Sequence, residues 1–302
     1  MTGQRLAGRA VVVGSGMAGL FAARVLSDHA EEVVLVDRDG IPDSPQVRDG
    51  VPQAHHFHGL LPGGLAIAGE LFPGFVEDLE AGGAVACTAG RDFVVWGPEG
   101  KSYALGVFQP EPMPIGTFYV MSRPLLEHCV RRRVEALANV TTRYGTLVRD
   151  PLAEGGRVTG VVLDGGGRLD AELVIDATGR NSRTVPWIAA MGSSTPQQSV
   201  VNCDFAYASA MIRPRDPDAM EGAGFFVLPD PAAEHAARGA YLVRIEDGLW
   251  LGGLGGRFGD YPPADVDGFR EFGRTLLHPI WDEMVSGAEL LTSPATFRFP
   301  RS

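Results

Sequence analysis

The sequence predicts an α/β protein, with a parallel sheet at the amino end and a second, mostly antiparallel β layer. Three observations lead there. Between residues 10 and 39, two apolar β-branched runs flank a glycine turn and a helical stretch. From residue 199 onward, β segments alternate with polar connections. The 302 residues are 45% hydrophobic and 21% charged, enough for a large core and two joined domains.

Residues 10–13 are a short apolar run that suits a strand buried on both faces. Gly14, Gly16 and Gly19 follow in the spacing G-x-G-x-x-G. The first glycine permits a tight turn, the second lets a pyrophosphate approach the backbone, and the third lets helix and strand pack closely. Leu20, Ala23 and Leu26 recur at helical spacing. The helix they define turns its open N–H groups and positive end toward the phosphates. A second strand, residues 33–36, ends in Asp37, 23 residues after Gly14. That is close to the roughly 20 expected for an acid that accepts from a ribose diol. The unit reads as a dinucleotide site; the competing reading is a βαβ unit with tight glycine packing and no ligand. Arg38 either stacks on an adenine or is a solvated surface arginine. A carboxylate at position 37 argues against a ligand carrying a 2′-phosphate.

The net charge of −11 argues against nucleic acid and anionic membrane as partners. No run of about 18 apolar residues occurs, so no transmembrane helix is expected. Arg5 and Arg9 precede an apolar stretch as in a signal peptide, but the glycine turn sits inside that stretch. Cys87, Cys129 and Cys203 are far apart and form no C-x-x-C, which argues for a reducing cytoplasm and against a structural zinc or disulfide framework.

Residues 40–61, rich in proline and glycine, read as a loop. Arg48, Gln53, His55, His56 and His58 concentrate polar groups there, and such loops often cover a cofactor. Three close histidines also suggest a metal, but no carboxylate or cysteine completes a cage; hydrogen-bonding or surface histidines are the alternative. Residues 60–71 read as a helix despite Gly63 and Gly64. Residues 93–96, 102–108 and 118–121 read as β segments. Ser122 is a candidate N-cap with Pro124 in the first turn, and Leu125, Cys129 and Val130 share a face. Glu127 pairs with Arg131 at i,i+4. Arg131, Arg132 and Arg133 read as a solvated face, whereas Arg123 at the helix start can reach a phosphate.

Residues 140–149, 157–163 and 168–174 read as a β-meander. Residues 173–175 form a buried strand, followed by a tight loop over 176–182, where ligands collect in open α/β sheets. Segments 203–211, 225–228, 241–245 and 249–254 read as an antiparallel sheet. The glycine-rich 251–256 lacks a GK[ST] ending, so it signals close backbone approach, to a strand or to a ligand. Residues 262–277 read as a turn and helix, and 296–299 as a strand.

Four stretches carry a resemblance over nearly the whole chain: VVVGSGMAGL with VLVDRD; RDGVPQAHHFHGLL with ELFPG; SRPLLEHCVRRRV with VIDATGRNSR; and GLWLGGLGGRFGDYPP. The chain resembles FAD-dependent monooxygenases of the flavoprotein aromatic-hydroxylase superfamily, nearest to the polyether-epoxidase and squalene-epoxidase-like branch. The resemblance implies a Rossmann-like FAD-binding sheet and an antiparallel β substrate layer. The division it implies is 1–85 with 121–198 for FAD, and 86–120 with 199–302 for substrate. It implies that Gly14, Gly16 and Gly19 bind the FAD pyrophosphate and Asp37 the ribose. Arg48 and Arg123 look like cofactor-contacting arginines, and Gln53 and His58 lie in the loop that approaches the flavin. Asp176 and Gly179, in DATGR, resemble the second nucleotide fingerprint; a loop-capping aspartate is the other reading of Asp176.

The implied reaction uses NADPH or NADH and O2 to epoxidise or hydroxylate a small apolar organic substrate, in the cytoplasm and in a secondary-metabolic setting. The cofactor carries that chemistry, so no catalytic side-chain triad is expected, and none is evident. The family's third fingerprint, a Gly-Asp strand end with a G-Q-G helix, does not occur here. The expectation is a truncated or split product, with a complementing C-terminal chain as a partner. Two alternatives stand beside this: a non-catalytic FAD-fold remnant or subunit, and a flavin-dependent halogenase or prenyl reductase. The signatures W-x-W-x-I-P and Y-x-W-x-F-P of the latter are absent.

Overall fold

The computed structural model describes residues 6–88, 90–103 and 117–299. The elements in chain order are β1 (Ala7–Val13), α1 (Met17–Ser27), β2 (Ala30–Val36), β3 (His58–Leu60), α2 (Pro62–Leu71), α3 (Phe75–Ala81), β4 (Val85–Thr88), β5 (Phe93–Gly97), β6 (Gly100–Tyr103), β7 (Thr117–Met121) and α4 (Arg123–Glu135). Then come β8 (Val140–Arg143), β9 (Val148–Glu154), β10 (Arg157–Leu163), β11 (Arg168–Asp170), β12 (Leu173–Asp176), α5 (Thr184–Ala190), β13 (Phe205–Arg213), β14 (Gly224–Val227), β15 (Gly239–Arg244), β16 (Trp250–Arg257), α6 (Val266–Arg274), α7 (Ile280–Val285), β17 (Glu289–Leu290) and β18 (Ala295–Phe299).

The chain divides into two compact units. The first comprises Met1–Val51, Leu71–Pro73 and Glu127–Ser199; the second comprises Pro52–Glu70, Gly74–Leu126 and Val200–Ser302. The first is smaller than the sequence-based division: 52–70, 74–85 and 121–126 fall with the antiparallel unit, because their strands pair there.

In the first unit, a parallel sheet runs in the order β12-β1-β2-β8. Val13 is in register with Val36 on one side and Asp176 on the other, so three strand ends line up. Val11, Val13, Val34 and Val36 pack against Val148, Val161, Leu163 and Leu169 of a β11-β10-β9 meander. Ala10, Val12, Val33 and Leu35 alternate with them and are also fully buried, on the face toward α1. Burial on both faces is why these strands read as continuous apolar runs.

Three strand expectations change here. The run 140–149 breaks at Gly145 (φ +66°), giving β8 to the parallel sheet and β9 to the meander. The run 168–174 likewise splits into β11 and β12. Strand β12 is half-buried rather than buried, as the last strand on its side of the described sheet.

In the second unit, eight strands form a sheet in the order β17-β13-β16-β15-β14-β5-β6, with β18 also on β13. All pairings are antiparallel except β14 with β5. One face builds a core from Ala208, Ile212, Leu242, Trp250 and Leu254 with Phe269 and Phe272 of α6 and Trp281 of α7. A smaller antiparallel sheet runs β3-β7-β4. The tail of the expected 40–61 loop is ordered: a 3-10 turn at Pro52–His55, then β3. Of the expected 102–108 strand, residues to 103 lie in β6 and 104–108 lie outside the described residues. Ser122 caps α4, its Oγ accepting from Leu125 N at 3.2 Å.

Candidate functional site

The glycine elbow joins β1 to α1. Gly14 takes φ +100°, a conformation that side-chain-bearing residues avoid, and a Cβ there would lie 2.6 Å from the Ala177 carbonyl oxygen. A Cβ on Gly19 would lie 1.7 Å from the Gly14 oxygen. These two glycines are demanded by the protein's own packing. Gly16 differs: a Cβ there would meet nothing within 4 Å. It is also the N-cap of α1 and offers no side-chain cap to the helix. The first amides of α1 have no intrahelical acceptor, as at any helix start. The elbow therefore leaves open space before a positive helix end, the geometry that receives an anion.

Asp37, at the end of β2, is buried at 7% exposure. Its Oδ2 accepts from Ser15 N (2.6 Å), Ser15 Oγ (2.7 Å) and Arg48 NH1 (3.3 Å); Oδ1 accepts from Asp39 N (2.9 Å). Burial pushes its pKa up, but the bonds from Asp39 and Ser15, with the Arg48 charge, pull it below the ordinary carboxylate value. Asp37 is thus ionised at neutral pH, and Oδ1 keeps capacity for a further donor.

Arg48 ties this corner together. Its NH1 also reaches Asp39 (3.1 Å), its NH2 donates to the Ser15 carbonyl (3.1 Å), and its Nε donates to Glu127 (2.8 Å). Glu127 in turn accepts from Arg131 at 2.5 Å. Burial pushes Arg48 down, but Glu127, Asp37 and Asp39 together hold it above its ordinary value. Arg131 is therefore a buried ion-pair partner, not part of a solvated face; Arg132 alone of the three is exposed. The reason is helical phase: residues 127, 131 and 134 share one face, and Val134 is fully buried.

Asp176 is spent differently. Oδ1 accepts from Thr178 N (2.9 Å) and Thr178 Oγ1 (2.5 Å), Oδ2 from Ser182 Oγ (2.7 Å) and Thr184 Oγ1 (2.6 Å). Four donors from its own loop make it a loop cap. Gly179 sits in that loop at φ +70° with open space around it. Arg38 is largely exposed, 3.5 Å from Asp39.

The remaining candidates belong to the second unit. Gln53 is exposed. His58 Nδ1 lies 2.9 Å from the His56 carbonyl, and Nε2 lies 3.3 Å from Arg123 NH1. A carbonyl only accepts, so His58 carries its proton on Nδ1 and receives Arg123 at Nε2. The structure thus gathers Gly14, Gly16, Asp37 and Arg48 at one corner, and pairs His58 with Arg123 in another. Sequence reading missed Ser15, Asp39 and Glu127 in the first corner. The hydroxyl inside G-S-G and the helical phase of Glu127 with Val130 and Val134 were the available signals.

Comparisons with known proteins follow the same lines. Residues 10–182 match the family model described as FAD dependent oxidoreductase. Protein Rv3254 of Mycobacterium tuberculosis is 34% identical over 304 residues, covering 97% of this chain. The chain spans 62% of that protein's length. The flavin-dependent brominase Bmp2 shares the fold at a TM-score of 0.68 and 15% identity, over 96% of this chain and 66% of that one. PqsL of Pseudomonas aeruginosa, described as a probable FAD-dependent monooxygenase, shares it at 0.58 and 15%, over 82% and 60%. The matched region runs from β1 through the Asp176 loop and contains the open elbow, and on that match the chain belongs to the FAD dependent oxidoreductase family.

Proposed function

We propose that the chain is the FAD-holding and substrate-covering part of a monooxygenase that uses NADPH or NADH and O2 to epoxidise or hydroxylate a small apolar organic substrate. The observation that carries the reading is the space at Gly16, next to a buried, ionised Asp37. FAD, when bound, supplies the redox chemistry. The chain's own groups do the holding. The first-turn amides of α1 meet a diphosphate, and Asp37 Oδ1 accepts from a ribose hydroxyl. Arg48 keeps that carboxylate charged and adds a cation beside the diphosphate. Asp37, Asp39 and Glu127 outnumber Arg48 and Arg131, which disfavours an adenosine carrying a 2′-phosphate at this corner. Arg123 and His58 form a polar pair within the second unit. The resemblance assigns the antiparallel unit to an organic substrate, and the absence of W-x-W-x-I-P ranks halogenation behind oxygen transfer.

The test is direct. Purified protein reconstituted with FAD should retain a yellow chromophore through gel filtration and oxidise NADPH in an FAD-dependent way. Loss of the chromophore on filtration rejects the reading for this chain. Bromide or chloride incorporated into product would replace oxygen transfer with halogenation.

A further inference from the structure

The cofactor reading gives Asp37 and Arg48 their tasks but leaves Glu127 and Arg131, two buried charges on α4, without one. Both are 5% exposed. Glu127 Oε1 accepts from Arg48 Nε at 2.8 Å and from Arg131 NH2 at 2.5 Å. Residues 127 and 131 are one helical turn apart, so Arg131 fixes the Glu127 carboxylate on a rigid mount. Arg48 has no such mount of its own, because residues 40–51 contain neither helix nor strand. A guanidinium is a planar fork, so whatever holds Nε also sets where NH1 and NH2 point.

The contacts of Arg48 are unequal. The Glu127 bond is the shortest at 2.8 Å, Asp39 and the Ser15 carbonyl follow at 3.1 Å, and Asp37 is the longest at 3.3 Å. Among the charges Glu127 also dominates: against burial, which pushes Arg48 down, it is the largest opposing charge, ahead of Asp37 and Asp39. Hydrogen bonds weaken with distance and misalignment, so the Asp37 contact is the first to go once Nε is released.

We infer that Glu127 is a positioning residue of the cofactor corner: held by Arg131, it pins Arg48 through Nε so that NH1 stays on Asp37, the carboxylate that receives a ribose hydroxyl. The inference rests on the FAD reading of that corner. The action of Glu127 on the ribose passes through Arg48. Its charge alone acts on Asp37 in the opposite direction. A negative group nearby makes Asp37 harder to ionise, so removing it lowers the Asp37 value, whereas losing Arg48 raises it. The sign of the change separates aiming from proximity. The remaining titratable neighbours of Asp37 are Arg38, Asp39, Arg143 and Tyr144, and the substitutions below leave all four in place.

The experiment uses the full chain with Glu127→Gln and Arg131→Met made together. Asp37, Asp39 and Glu127 against Arg48 and Arg131 give a net −1, and Asp37 and Asp39 against Arg48 give −1 again, so the charge of the corner is unchanged. Replacing a buried pair by uncharged side chains of similar size is tolerated far better than breaking it, so the double variant folds where Glu127→Gln alone can fail. Carbon NMR of the Asp37 carboxyl, recorded without FAD, should show its titration moved up. FAD binding, read by flavin fluorescence, should weaken about tenfold, the worth of one good hydrogen bond, and its loss in acid should begin at a higher pH than in the wild type. Arg48→Lys, whose single ammonium cannot match the fork, should weaken FAD to a similar degree. Adding the double substitution to Arg48→Lys should then cost less than about twofold more, because both act on one contact. An Asp37 titration that stays in place or moves down, an FAD affinity within about twofold of the wild type, or full additivity with Arg48→Lys overturns the inference. The NMR titration separates this outcome from the cofactor reading. If the wild type holds no FAD but the double variant still moves Asp37 up, the cofactor reading falls and the pinning of Arg48 stands. If the wild type holds FAD and Asp37 does not move, this inference falls alone.

Discussion

The molecule has two glycine-rich stretches that look alike in sequence, and they use the missing side chain in opposite ways. At the elbow, Gly16 leaves space that no protein atom fills within 4 Å of a Cβ. On β16, the protein takes the space back. A Cβ on Gly252 would lie 2.7 Å from Trp281, one on Gly253 2.3 Å from the Tyr241 ring, and one on Gly256 1.9 Å from the Asp260 carbonyl oxygen. Close approach is common to both stretches; what approaches is set by tertiary neighbours that lie far away in sequence. The elbow itself is mixed, since Gly14 and Gly19 serve packing and Gly16 alone serves vacancy.

The largest effects should come where a new methyl meets backbone. Gly19→Ala and Gly256→Ala should each cost about 3 kcal/mol, read as a fall in urea midpoint, because a carbonyl cannot move aside as a side chain can. Equal stability of either variant with the wild type would break the comparison. A smaller loss, about 1–2 kcal/mol, is expected for Gly253→Ala, where the obstacle is the Tyr241 ring. Gly16→Val should leave the urea midpoint within about 0.5 kcal/mol of the wild type while weakening FAD binding at least tenfold, measured by flavin fluorescence. A stability loss without an affinity loss would put Gly16 in the same class as Gly19.

A change of pH sharpens the contrast in a different way. Asp37 is lowered in the folded protein, so its contribution is present above the unfolded value and is lost as pH falls through the acidic range below 3.8. Burial, with His55 and His58 nearby, lowers His56 to about 4 from 6.5, so the unfolded chain takes up its proton first, and stability falls as pH drops from 6.5 toward 4. His56→Phe should flatten the urea midpoint between pH 6.5 and 4, and Asp37→Asn should flatten it only below that range. An identical slope for His56→Phe and wild type between pH 6.5 and 4 would place the histidine in water.

How much could be read beforehand follows the same division. The β1 elbow, α1 and Asp37 were legible because their signals lie within 30 residues and each glycine has a local job. The Ser122 cap of α4 was legible for the same reason. The burial of Arg131 was not, because three consecutive arginines look like a solvated face until Arg48 arrives from 79 residues upstream to share Glu127. The split of 140–149 was missed because β8 and β9 differ only in which distant strand receives them. The occupants of the β16 glycines depend on strand order, which periodicity does not encode.

The parallel sheet also sets a schedule for synthesis. Ala10 of β1 waits for Leu173 of β12, while its other neighbour, Val33 of β2, is made almost at once. At about 5–20 residues per second, the intervening segment keeps one rim of a valine-rich ribbon unpaired for roughly 10–30 s on the ribosome. That rim is where a nascent chain of this protein would meet a chaperone or another copy of itself, and slowing translation just before β12 should lower soluble yield more than slowing it just after.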